Sequence, residues 1–161
     1  MLVTGLLQIE SYARHVLRPG QRDSALDQAV AARIARQAIL RKDDPPWLVF
    51  LVREAALREV VGSEEIMEEQ LQHVLDMMQE PNINVRVLPA GAPVYPSGGF
   101  TIFSFDDAPD VGYVESVNGH GHVIEPNAHV EGLKVTFDLV SFAALPTEAS
   151  EKLIRDIMEG M

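Results

Sequence analysis

One stretch of the chain brings a carboxylate and two imidazoles close together in sequence: Glu115, His120 and His122. Between them lies Asn118-Gly119, the strongest short signal for a two-residue hairpin turn, because a type I′ turn needs positive φ at both central residues. Such a turn pairs Glu115 with His122 across two antiparallel strands. Because side chains alternate between the two faces of a strand, Glu115, His120 and His122 are predicted to share one face.

A face of this composition supports three interpretations. Glu115 could orient His120 or His122 as a general acid/base, which would make the chain a small enzyme: a cyclase, isomerase or hydrolase. The three side chains could instead ligate a divalent metal, although His-x-His alone is a weak metal signal. The simplest interpretation is a Glu–His ion pair on a solvated face. The sequence predicts no metal and no cofactor, and it predicts catalytic roles for these residues only if the chain is an enzyme.

A second set of side chains could bind a small molecule. Glu54 and Arg58 directly follow an apolar strand, and open α/β sheets usually place ligand contacts at the carboxyl ends of their strands. The simpler interpretation of this pair is an ion pair within one helical turn. Tyr12 and Trp47 could line a pocket, although lone aromatic residues belong to the core more often. Tyr113, on the predicted face of the hairpin, completes the set of ligand-binding candidates.

The elements that must position these residues include both helices and strands. Hydrophobic periodicity predicts two N-terminal helices, a strand, a helix, four successive strands and two C-terminal helices. The predicted fold class is α/β (or α+β), with a central mixed sheet of about five strands, an N-terminal helical pair and C-terminal helices. A length of 161 residues fits a single domain. We expect N-terminal helices in residues 1–46, a sheet-containing body in 47–143 and a C-terminal helix in 144–161.

Local signals define some elements more closely. Trp47 to Val52 is a short, continuously apolar run, which predicts a strand covered on both faces. Ser63 is predicted to cap the third helix and Thr147 the last one, because both hydroxyls precede amphipathic stretches.

Composition and charge exclude several classes of protein. The chain carries a net charge of −11. Residues 1–60 have a net charge of +2, and residues 61–161 have a net charge of −13. Since phosphate contacts supply most non-specific nucleic-acid affinity, we expect no direct nucleic-acid binding by this chain. The absence of cysteine excludes a disulfide scaffold and a thiol nucleophile. We expect no membrane segment and no export signal, and therefore a cytoplasmic protein.

Eight segments, in order along nearly the whole chain, match one family pattern. They are Val3–Gln8, Tyr12–Arg14, Asp44–Pro46, Glu54–Leu57, Val61–Leu71, Asn84–Pro89, Tyr113–Glu115 and Ala144–Ser150. On these segments the chain resembles the actinobacterial domain of unknown function 5753. That domain usually forms the C-terminal part of transcription regulators with an N-terminal helix-turn-helix of the Xre type. Such regulators are often encoded near small partner proteins that carry the domain of unknown function 397.

The resemblance implies a regulatory module that binds a small-molecule ligand or a small partner protein. We expect its binding surface near the carboxyl ends of the strands at 47–52 and 83–88. The chain begins at the first motif of the domain, so the helix-turn-helix is expected to be missing. The alternative is a free-standing domain that became a small enzyme acting on a natural-product-like substrate through the Glu-His-His face.

A weaker likeness connects residues 47–143 to half of a phospholipase-D-like domain. The catalytic His-x-Lys-x-x-x-x-Asp of that family would fall on Phe100, Ile102 and Asp107. Because two of these three residues are apolar, we expect the phosphodiesterase chemistry of that family to be absent even if the fold is shared.

Homodimerisation is a further possibility. Methionine adapts readily to irregular interfaces, and four methionines lie on the predicted helix at 63–79 or near the C-terminus: Met77, Met78, Met158 and Met161.

Overall fold

The fold combines α-helices with β-strands, which confirms the predicted mixed class. The computed structural model describes residues 2–94, 96, 98–115, 121–125 and 128–161. In chain order the elements are α1 (Glu10–Leu17), α2 (Asp23–Ala35), β1 (Leu48–Arg53), α3 (Glu54–Arg58), α4 (Glu64–Met77), β2 (Ile83–Leu88), β3 (Phe100–Phe103), β4 (Val111–Val114), β5 (His122–Ile124), α5 (Ala128–Ala143) and α6 (Thr147–Glu159). Two 3-10 helices, Gly5–Leu7 and Arg36–Arg41, flank α1 and α2. Within the described ranges, no helix is both long enough and apolar enough to cross a membrane.

The strands form two sheets, so the single sheet of about five strands is not observed in the described part of the chain. β1 pairs in parallel with β2, and β3, β4 and β5 form an antiparallel sheet in that order. The reason lies at the free edge of β2. Val87 accepts a hydrogen bond from the Leu145 amide at 2.8 Å and donates one to Ser150 Oγ at 2.9 Å. Because this edge is covered, no third strand pairs there.

The chain divides into two compact units. The terminal unit comprises Met1–Ala90 and Leu145–Met161, and the central unit comprises Gly91–Ala144. The segment 47–143, expected to form one sheet-containing body, therefore contributes β1 and β2 to one unit and β3 to β5 to the other. That the whole chain acts as one domain stays a prediction.

The prediction that β1 is covered on both faces is wrong. Leu48, Phe50 and Val52 contact the core of the terminal unit. The alternate positions point the other way, and the side chains of Val49 and Trp47 are exposed, Trp47 to 81%. A sheet of two strands with its core on one side leaves the opposite face open.

Helix α4 supplies much of the core of the terminal unit. It begins after Ser63, whose hydroxyl accepts a hydrogen bond from the Ile66 amide at 3.4 Å, so the predicted cap is confirmed. Met67, Leu71 and Val74 lie on the inner face of the helix, in the same buried cluster as β1 and β2.

The first residue of α6 has a different role from the one predicted. Pro146 occupies the cap position and makes no side-chain capping bond. The Thr147 hydroxyl accepts a hydrogen bond from Asn84 Nδ2 at 3.0 Å. Thr147 therefore joins α6 to β2, because its hydroxyl meets a strand side chain that lies far away in sequence.

The N-terminal segment is held by buried side-chain amides. Gln70 of α4 is fully buried; its Nε2 donates to the Leu7 carbonyl at 2.6 Å and its Oε1 accepts from the Ile9 amide at 2.9 Å. The hydroxyl of buried Tyr12 accepts a hydrogen bond from the Val3 amide at 3.3 Å. These bonds satisfy the backbone of an otherwise irregular segment and fix it against α4.

Gln8 extends the same network towards α2. Its Nε2 donates to the Val3 carbonyl at 2.6 Å, and its Oε1 accepts from Arg33 Nη1 at 2.8 Å. Gln37 Nε2 in turn donates to the Gln8 carbonyl at 2.6 Å. The N-terminal segment is thus hydrogen-bonded to side chains of α4 and to side chains of α2 and the 3-10 helix that follows it.

The buried amide of Gln70 is open to a direct stability test. Replacing it in Gln70→Leu keeps the volume but leaves the Leu7 carbonyl and the Ile9 amide without their partner, so we expect a loss of about 2–4 kcal/mol in the free energy of unfolding. The control is Gln72→Leu, because Gln72 lies on the exposed face of the same helix and its Nε2 donates to Asp76, which is also exposed. We expect it to change stability by less than about 0.5 kcal/mol. Equal losses in urea unfolding would contradict this role for Gln70.

Candidate functional site

The predicted binding surface at the ends of β1 and β2 contains a hydrogen-bonded clamp. Glu54 Oε1 accepts from Arg58 Nε at 2.7 Å, which confirms the ion pair within one helical turn. Glu54 Oε2 accepts from the Ala90 amide at 2.8 Å. The Ala90 amide is the main cause of a lowered pKa of Glu54, and Arg58 lowers this pKa further. We call these three residues the Glu54 clamp.

The clamp joins the chain segments that leave the two parallel strands. Only 13% of the Glu54 side-chain surface is exposed, and both of its carboxylate oxygens are occupied. Glu54 therefore fixes the point at which the chain leaves the terminal unit, after Ala90. This is a positioning role that needs no bound molecule.

The other ligand-binding candidates of the terminal unit lie elsewhere. Trp47 precedes β1 and Glu54 follows it, so six strand residues place them about 20 Å apart. Tyr12 is buried in the core, and burial is the main cause of its raised pKa. Tyr113 belongs to the central unit. Tyr12, Trp47 and Glu54 thus do not meet in one site.

The predicted hairpin register is wrong by one residue. Val114 lies opposite His122, so Glu115 and His122 point to opposite faces of the sheet. Seven residues separate this pair in the sequence, whereas the predicted register leaves six residues between Glu115 and His122. His120 and the Asn118-Gly119 turn lie outside the described residues. The structure therefore does not place Glu115 beside His122.

The two faces have different surroundings. Helix α5 packs on the face that bears His122, where a Cβ at Gly112 would approach Leu133 Cδ1 to 2.7 Å. Gly112 thus permits the close approach of the helix. On the opposite face, the Glu115 carboxylate lies 3.2 Å from the position of a Cβ on Gly99, and the Glu115 amide donates to the Gly99 carbonyl at 3.1 Å. Among the described residues, no three His, Asp or Glu side chains are grouped as a metal site would require.

The central unit exposes apolar side chains that the sequence analysis did not single out. Helix α5 buries Val130 and Val140 on one side. On the other side an exposed row, the outer stripe, consists of Ala128, Gly132, Val135, Leu139 and Phe142. The exposed fractions of Val135, Leu139 and Phe142 are 59, 51 and 88%. The available signal was a helix sequence that is apolar on two sides, where a surface helix has one apolar stripe.

The outer face of the sheet is also apolar in part. Phe103 of β3 and Val123 of β5 are exposed. Tyr113 of β4 lies on the same face, opposite Val123, and its ring occupies the space that a side chain at Gly121 would need. Both layers of the central unit therefore present apolar surface outward.

Comparison with known protein families identifies the family of this chain. The family model described as a domain of unknown function, DUF5753, matches residues 1–156. The chain belongs to the DUF5753 family. No curated protein and no solved structure matches it significantly. In this DUF5753 chain, four of the residues that carry the family resemblance are joined by the buried bonds of the N-terminal segment: Val3, Gln8, Tyr12 and Gln70. These residues stabilise the fold.

The Glu54 clamp makes stability depend on pH. A carboxyl whose pKa is lowered by folding stabilises the protein above its unfolded-state pKa, and this stabilisation is lost as the pH falls through the folded-state pKa. In Glu54→Gln an amide NH₂ must face either Arg58 Nε or the Ala90 amide, which are both donors. We expect a loss of about 1–2 kcal/mol at pH 7 that shrinks as the pH falls below the ordinary carboxyl range.

Urea unfolding at several pH values measures this effect. Glu68→Gln is the matched control, because Glu68 is exposed on α4. It should change stability by less than about 0.5 kcal/mol. If Glu54→Gln were no less stable than Glu68→Gln at pH 7, the clamp would not stabilise the fold.

The corrected register makes a separate prediction about Glu115 and His122. Since the sheet separates them, a double-mutant cycle with alanine at both positions should give a coupling energy below about 0.3–0.5 kcal/mol in thermal or urea unfolding. Asp110 and Lys134 form the positive control, because their 2.9 Å ion pair brings the two charges into direct contact and should give a larger coupling energy. Coupling of Glu115 to His122 as strong as this control would restore the original register.

Proposed function

We propose that this DUF5753 chain is a regulatory domain that binds a partner protein through its central unit. The observation that carries the proposal is the outer stripe of α5, where Val135, Leu139 and Phe142 are more than half exposed although the opposite side of the helix is buried. Contiguous exposed apolar surface is typical of an interaction site.

The energy available at this surface is considerable. Covering a large apolar side chain is worth about 1.5–3 kcal/mol, and Phe142 alone exposes 88% of its surface. Single exposed apolar residues are ordinary, but here the exposed apolar residues follow one face of a helix, and the outer face of the neighbouring sheet is also apolar in part. A partner that covers the helix face would remove this surface from water.

The charge of the chain supports a regulator in which DNA binding and partner binding belong to different domains. With a net charge of −11, the chain is repelled by the phosphate backbone. The family resemblance implies that an Xre-type helix-turn-helix reads DNA and that a small protein with the domain of unknown function 397 is a partner. We therefore assign partner binding to this domain and DNA binding to a separate module. We assign the domain to the cytoplasm.

The other candidate residues favour a protein partner over a small ligand or a catalytic role. Both oxygens of Glu54 are hydrogen-bonded, and Tyr12 is buried. The structure separates Glu115 from His122.

Homodimerisation through methionine has little support within the terminal unit. Met78 is buried in the core, and Met77, Met158 and Met161 pack against it. These side chains are occupied by intramolecular contacts, which favours a different protein as the partner.

Site-specific photocrosslinking in the source cells tests the proposal. A photoreactive residue at Leu139 or Phe142 should link the chain to the same partner protein, identified by mass spectrometry of the joined peptides. The control position is Gln28, which is exposed on α2 in the terminal unit. We expect no such product from Gln28, and an unchanged product when His122→Ala is added.

The same positions give the results that would contradict the proposed binding surface. If neither Leu139 nor Phe142 gave a discrete product, or if Gln28 gave the same product, the central unit would not be the partner-binding surface.

A further inference from the structure

The outer stripe of α5 has the spacing of a coiled-coil seam. Ala128, Val135 and Phe142 are seven residues apart, as are Gly132 and Leu139, and the two sets alternate at intervals of four and three. This is the pattern of d and a positions in a heptad repeat. All five residues are exposed. A helix of 16 residues is about 24 Å long, enough for two heptads against a partner helix.

The g positions beside the seam are acidic. Glu131 and Asp138 each precede an a position, which makes both of them g residues, and both are exposed. Residues at e and g positions set the choice of partner through charge. The corresponding e positions after Val135 and Phe142 are Thr136 and Ala143, which carry no charge.

The cation nearest to this flank is already neutralised. Lys134 lies 2.9 Å from Asp110 Oδ2 and 2.9 Å from Glu131 Oε1, and it is the sole Lys or Arg in the sequence of the central unit. The unit contains seven Asp and Glu residues and has a net charge of −6. Asp138 forms no ion pair within the described part of the chain.

We propose that a basic amphipathic helix of the partner protein packs along the outer stripe, with Lys or Arg residues beside Glu131 and Asp138. This inference rests on the proposed function and specifies the chemistry of the partner segment. Its apolar residues cover Val135, Leu139 and Phe142. Gly132, in the middle of the seam, offers no side chain and allows the helices to approach closely.

A second copy of α5 fits this surface poorly. In an antiparallel pair the g positions meet, which brings Glu131 and Asp138 of one copy towards the same carboxylates of the other. In a parallel pair the g residues face Thr136 and Ala143 and gain no opposite charge. An anionic membrane would be repelled by the charge of −6. Charge complementarity therefore selects a cationic helix.

Two synthetic helical peptides of three heptads test the inference against the full chain. Both have Ile at a and Leu at d; one has Lys at every e and g position, and the other has Glu. Fluorescence anisotropy should show binding of the Lys peptide at least about tenfold tighter than that of the Glu peptide, with the difference shrinking as salt rises from about 50 to 500 mM.

Variants of the chain locate the binding site. Leu139→Ala combined with Phe142→Ala should weaken the binding of the Lys peptide by at least about tenfold. Glu131→Gln combined with Asp138→Asn should reduce the ratio of the affinities for the Lys and Glu peptides by about threefold or more. Val123→Ala is the matched control, because Val123 is apolar and exposed on the outer face of the sheet. It should leave the affinity unchanged, and all these exposed positions should tolerate substitution without loss of the fold.

Four results would overturn the inference. Equal binding of the two peptides, or binding unaffected by the Leu139 and Phe142 substitutions, would exclude a basic helix on the outer stripe. A dimer of the chain in sedimentation that the same substitutions dissociate would identify a second copy as the occupant. Binding to phosphatidylcholine–phosphatidylglycerol vesicles that requires Leu139 and Phe142 would identify a membrane. A specific crosslink at Leu139 together with a failed peptide test would leave partner binding standing and refute only the basic helix.

Discussion

The backbone of Val87 determines where the sheet of the terminal unit ends. Leu145 and Ser150 occupy its carbonyl and its amide, and Ser150 is itself fully buried. This contact joins positions 63 residues apart and covers the edge of β2 next to its carboxyl end. The strands that follow must pair among themselves. The strands β3, β4 and β5 and the helix α5 belong to the other unit.

Two hydrogen-bonded points fix the places where the chain crosses between the units. Ala90 is held by Glu54 as the chain leaves, and Leu145 is held by Val87 and by Arg86 Nε at 3.0 Å as it returns. The residues expected to bind a ligand at the ends of β1 and β2 thus anchor the backbone. The binding surface that we propose lies in the segment between these two anchors, where the helix has apolar residues on both sides.

Local interactions could be predicted from the sequence, and distant ones could not. The cap at Ser63 and the pair of Glu54 with Arg58 depend on residues three or four positions apart, and both are confirmed. The edge of β2 depends on Ser150, which no local pattern connects to Val87. The predicted position of Glu115 rested wholly on the length of one turn. Because a shift of one residue exchanges the two faces of a strand, the prediction that Glu115 shares a face with His122 was wrong.

Methyl NMR of the full chain during titration with the Lys-rich helical peptide tests the central claim most directly. Partner binding on the outer stripe predicts that the methyl signals of Val135 and Leu139 shift in proportion to the bound fraction. The signals of Val130, on the buried side of α5, and of Val123, on the outer face of the sheet, should change little. Shifts at Val123 with none at Val135 and Leu139 would place the binding surface on the sheet and contradict the account.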